Sequence, residues 1–234
     1  MQFEHACFIS YRNGDRSDRG RDARRQDIED TINAFARDLK NELHRELQRA
    51  GVNYDKSIVF LDQDLEEGTT LLSTFASAVC KSVCMVVVFT PHYLNKDKLY
   101  CASELEGMFR RLQERCVKLG FDETHKHEWV FTVVLNEPDR VPDILLDNIR
   151  FDFTTYSHSS IPLRDHEGLH SKVQTLARKI AYHWECLDQE NTLLTEDCEN
   201  FALRNPDDDQ DKILLQEYVS NHVKPIKRKF PFRD

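Results

Sequence analysis

The chain has 234 residues, 40% hydrophobic and 31% charged, which is enough for one full α/β domain with a sizeable core and an appendage. A formal net charge of −9 argues against a general nucleic-acid binder and against docking on anionic lipid. No run approaches the roughly 20 apolar residues of a membrane span, and the opening MQFEHACFISYRNGD lacks the basic and apolar regions of a secretion signal, so a cytoplasmic protein is expected.

The first element is the short apolar run Ala6–Tyr11, which reads as a buried strand. A polar stretch rich in Arg and Asp follows from Arg12 to Arg25 and reads as a long loop. Ile28, Ile32, Phe35, Leu39, Leu43 and Leu47 then recur every three or four residues, the apolar stripe of an amphipathic helix, with Gly51 as its stop. Ser57–Leu61 is a second strand, and the acidic loop 62–68 follows it. Thr70–Lys81 has helical spacing through Leu71, Leu72, Phe75 and Val79. Val83–Thr90 is the most apolar run in the chain and predicts a central strand buried on both faces, ended by Pro91.

Leu99–Val117 reads as a helix with Leu105, Met108, Phe109 and Leu112 inward. Trp129–Leu135 is a fourth strand and Ile149–Phe153 a short fifth one at the edge. Leu169–Leu187 is the last core helix, with its stripe at Val173, Leu176, Ile180, Trp184 and Leu187. Strands alternating with helices predict a parallel sheet covered on both faces, and five strands fit the flavodoxin-like order 2-1-3-4-5. The composition changes after residue 188. Residues 189–234 carry an acidic turn-forming run at 205–211, a short helix over Ile213–Val219 and a basic, proline-containing end; they read as an extension that packs loosely or binds a partner.

The seven cysteines form no CxxC pair, so buried reduced thiols are expected. His125 and His127 beside Glu128 give only a weak metal pattern; they read as histidines facing water ahead of an edge strand, and no metal site is expected. There is no glycine-rich phosphate loop, no GxSxG and no Cys–His nucleophile pair. In an open parallel sheet, ligands sit beyond the strand ends where strand order reverses. Here three segments should converge there: Ser10 to Arg12, Asp62 to Gly68, and His92 to Tyr100 leading to Glu104.

Those three segments resemble the TIR (Toll/interleukin-1 receptor) domain family. FISYR is similar to the family's first strand and its exit. VFLDQDLEEGTTL resembles the second strand and BB loop, and VVVFTPHYLNKDKLYCASELEGM the third region. The resemblance covers about residues 4–188, so the chain divides into a TIR domain at 1–188 and an extension at 189–234. It implies that Glu104 is the catalytic carboxylate of an NAD+ hydrolase or cyclase. It places Ser10, Tyr11, Arg12, Asp62, Leu65, Glu66 and Tyr100 against the substrate, with Tyr100 where the family often has Trp. NAD+ is then a substrate, and no cofactor is required. The stand-alone form resembles bacterial antiphage proteins of the Thoeris kind, which deplete NAD+ or make a signal for a separate effector. Self-association through the BB loop is the implied assembly. A non-enzymatic TIR scaffold, acting by TIR–TIR contact, is the alternative.

Overall fold

The computed structural model describes residues 3–12, 22–52, 58–61, 71–155, 166–188 and 198–223. Five strands form one parallel sheet: β1 (His5–Tyr11), β2 (Val59–Phe60), β3 (Ser82–Phe89), β4 (Val130–Val134) and β5 (Ile149–Asp152). Their order is β2-β1-β3-β4-β5, with every pairing parallel. This is the flavodoxin-like arrangement that the alternation of elements predicts. All eight residues of β3 are buried, as its unbroken apolar run requires. Register sets Ser10 beside Val87 and Tyr11 beside Val88, so β1 and β3 end together.

The helices are α1 (Asp22–Arg49), α2 (Leu71–Lys81), α3 (Tyr100–Leu119), the single turn α4 (Asp143–Leu146), α5 (Glu167–Asp188) and α6 (Asp209–His222). α1 packs on α5 and α2 on α3. Ile32, Phe35, Leu39, Leu43 and Leu47 are buried, as the stripe on α1 predicts. α1 begins earlier than expected, at Asp22, inside the stretch read as a loop through Arg25. Asp22 to Asp27 carries good helix formers but no apolar residue beyond Ala23, so periodicity gives no signal there. Gly51 (φ 78°) closes α1 in the left-handed conformation that glycine adopts freely.

Arg115 ties α3 to the rest of the core. Its guanidinium is buried and donates to the carbonyls of Cys80, Ser82 and Val83, capping the end of α2. It lies over the Phe3 ring at 4.7 Å. Burial, reinforced by neighbouring Arg111, holds its pKa down to about 9.

Two expectations are corrected. Cys80 and Cys198 form a disulfide across a sequence separation of 118, while Cys7, Cys84, Cys101 and Cys116 are buried and not disulfide-bonded. Nothing in local spacing signals a pair so far apart. His125 and His127 precede β4, which lies between β3 and β5 and is not an edge strand. His127 is half-buried, bonded to Asn148 at 3.0 Å and packed against Phe109.

Residues 198–223 pack onto α3. Cys198, Leu203, Leu215 and Val219 are buried. Ser103 donates to the Arg204 carbonyl at 2.6 Å, and Arg110 donates to the Ala202 carbonyl at 2.7 Å while lying over Phe201. At Gly107 the extension lies directly against α3: a Cβ there would run into Cδ2 of Leu203. The helix read over Ile213–Val219 runs from Asp209, capped by the Asp208 side chain, to His222.

Candidate active site

The site is built at the C-terminal ends of β1 and β3. β1 delivers Ser10 and Tyr11, the turn after β3 delivers Tyr93, and the first turns of α3 deliver Tyr100, Cys101 and Glu104. Pro91 cannot extend the sheet ladder, and the chain turns at once, with the Tyr93 amide donating to the Thr90 carbonyl at 2.9 Å. The Arg12 guanidinium donates to the His92 carbonyl at 2.5 Å, which holds the exit of β1 against this turn.

Glu104 faces inward and is only 8% exposed. The Ser10 hydroxyl donates to its Oε2 at 2.5 Å, and the Tyr93 hydroxyl lies 2.7 Å from Ser10 Oγ. Ser10 and Tyr93 are buried. Burial pushes the Tyr93 phenol well above its ordinary pKa, reinforced by Cys101 and Glu104, while the Ser10 bond acts the other way. The Cys101 thiol donates to the Tyr11 carbonyl at 3.5 Å, a second tie between α3 and β1. A largely buried carboxylate held by a short O–H···O bond is suited to stabilising positive charge.

Tyr100 lies one helical turn before Glu104 but reaches outward. It is 39% exposed, and its hydroxyl donates to Asp207 Oδ2 at 2.8 Å. That bond raises the pKa of the phenol, with a smaller effect of burial. The extension therefore reaches the same turn of α3 that carries Glu104. Of the residues singled out in the sequence, Ser10 and Glu104 are in direct contact. Tyr11 and Arg12 border them through backbone-directed bonds, and Tyr100 stands at the rim. Asp62, Leu65 and Glu66 lie outside the described residues. Sequence reasoning missed Tyr93 and Asp207. Tyr93 falls inside the segment expected at the switch point, immediately after a Pro that ends a buried strand; Asp207 carries no signal beyond its acidic turn.

The family model of the TIR domain matches residues 22–118. The match runs from the start of α1 to the last turn of α3 and includes Tyr93, Tyr100 and Glu104, while Ser10 to Arg12 precede it. A comparison with curated proteins gave no match. No described helix is long and apolar enough to cross a membrane. Residues 22–118 thus carry a TIR domain, a signalling or NADase-capable module whose members commonly associate with one another, and the five-stranded sheet is the flavodoxin-like fold of such domains.

Proposed function

We propose that this chain cleaves the nicotinamide–ribosyl bond of NAD+, with Glu104 as the catalytic carboxylate. The observation that carries the reading is the Glu104 carboxylate, held by Ser10 at 2.5 Å where β1 and β3 end. Nicotinamide leaves a cationic pyridinium as a neutral molecule, so its departure needs no proton. The demand is on the ribosyl carbon, which becomes oxocarbenium-like as the C–N bond breaks, and a single carboxylate beneath the ring answers it. Attack by water gives ADP-ribose and releases one proton. Attack by a hydroxyl or ring nitrogen of the same molecule gives a cyclic isomer.

Arg12 keeps guanidinium donors beyond the one given to His92, and these suit a pyrophosphate. The Tyr100 ring, anchored through its hydroxyl to Asp207, offers a face to an aromatic base. Asp62, Leu65 and Glu66 belong to the same reading, with the loop around 62–70 ordered against a second copy. The setting we propose is a cytoplasmic antiphage system, with this chain either depleting NAD+ or producing a signal for a separate effector. The division into a TIR domain at 1–188 and an extension at 189–234 belongs to the same proposal.

A scaffold reading has one observation in its favour: a carboxylate so little exposed, bonded to Ser10, also serves as an anchor between α3 and β1. Nicotinamide release by concentrated wild-type protein, beside Glu104→Gln, separates the two. Release that disappears in a folded Glu104→Gln variant supports catalysis. No release from wild type, dilute or concentrated, supports the scaffold.

A further inference from the structure

We propose that Tyr93 is a positioning residue for Glu104, acting through Ser10 as the first member of a one-way hydrogen-bond chain, Tyr93 to Ser10 to Glu104. The role rests on the catalytic reading of Glu104; the chain itself does not. Its direction follows from counting protons. Ser10 has one hydroxyl proton, and at 2.5 Å that proton points to Glu104 Oε2. Ser10 Oγ is then an acceptor toward Tyr93, so the phenol must donate across the 2.7 Å contact.

The opposite direction would start from a protonated Glu104 and end on Tyr93 as acceptor. The buried phenol proton would then have lost Ser10 as its acceptor, which is costly for a fully buried hydroxyl. A Ser10–Glu104 separation of 2.5 Å is also in the range of a hydroxyl donating to an ionised carboxylate. Each bond polarises the next, so the phenol strengthens the grip of Ser10 on the carboxylate.

The chain rests on rigid parts. Ser10 lies within β1, and Tyr93 is fixed by its amide bond to Thr90 and by the hold of Arg12 on His92. Burial keeps the phenol protonated well above its ordinary range, so it remains a donor at any pH at which the protein works. Cys101 on α3 donates to the Tyr11 carbonyl, Arg12 at the rim donates to the His92 carbonyl, and Tyr218 from α6 acts electrostatically on Tyr93.

The test uses full-length protein labelled with 13C at the glutamate side-chain carboxyl, with the Glu104 resonance assigned from its loss in Glu104→Gln. Tyr93→Phe keeps the ring and removes the hydroxyl. Its expected effect is a Glu104 titration midpoint raised by about 0.5 to 1 pH unit, since a donor to the charged form has been weakened. Ser10→Ala should raise it at least as far, and Tyr93→Phe added to Ser10→Ala should raise it no further, because the chain is already cut. In nicotinamide release, kcat of Tyr93→Phe should fall about three- to tenfold with KM for NAD+ within twofold, and the acid limb should move with the NMR midpoint. An unmoved midpoint in Tyr93→Phe, or equal shifts from Tyr93→Phe with and without Ser10, overturns the chain. Should wild type release no nicotinamide, the catalytic reading falls, and the NMR titration still decides whether Tyr93 acts on Glu104.

Discussion

The two sides of α3 do different work. Toward β1 the helix presents Cys101 and Glu104, which meet Tyr11 and Ser10 through a few directed bonds. Toward the extension it presents Ser103, Gly107, Arg110 and Arg111, which meet residues 198–204 mainly by close packing and bonds to backbone. The first contact fixes one carboxylate in one orientation. The second buries apolar surface and holds the helix in place. The proposed function and the stability should thus be separable by mutation along a single helix, although residues 103 and 104 are adjacent in sequence.

Removal of the disulfide should give a large stability effect on the packing side. Cys198→Ser frees a crosslink that closes a loop with a sequence separation of 118, and should lower unfolding stability by about 2–4 kcal/mol, read by urea denaturation with and without a thiol reductant. The reductant should bring wild type to the level of the variant; equal stability throughout would show that the bond is not formed in solution. Gly107→Ala comes next. The new methyl meets Leu203, and overpacking of this kind costs about 1–3 kcal/mol, offset by up to about 1 kcal/mol of helix propensity. A net loss that disappears in the Leu203→Ala background would place the conflict at that contact; a loss that persists there would place it elsewhere.

The smallest effect concerns pH. His183 is buried beside Trp129, and burial lowers its pKa below the ordinary histidine value, with Glu128 opposing. Below the ordinary value near 6.5 the unfolded chain takes up a proton that the folded chain refuses, so stability falls with falling pH until the folded pKa is reached. One such group contributes at most about 1.4 kcal/mol per pH unit. Chemical denaturation between pH 7 and 5 should show a shallower loss for His183→Leu than for wild type; parallel curves would remove His183 from the account.

The sheet and the Glu104 side were legible in the sequence, and the extension was not, for physical reasons. β3 is buried on both faces and α1 on one, so their apolar patterns are strong and local. Glu104 stands out in the sequence because its neighbours Tyr100, Cys101 and Leu105 fall in a family pattern. α6 turns only Leu215 and Val219 fully inward, one turn apart, while Ile213 and Leu214 stay exposed, so it carries no stripe to read. Cys80 finds Cys198 only once the fold has formed. Tyr93 is a single residue in a turn, and its role depends on a partner 83 positions away.

The most direct measurement is nicotinamide release and thermal unfolding recorded together for wild type, Glu104→Gln and Leu203→Ala. The account predicts that Glu104→Gln loses release by about a hundredfold or more while unfolding close to wild type. It predicts that Leu203→Ala, at temperatures where it remains folded, keeps release while its stability falls by about 2–5 kcal/mol. Full release from Glu104→Gln, or equal loss of release from both variants while folded, would contradict it.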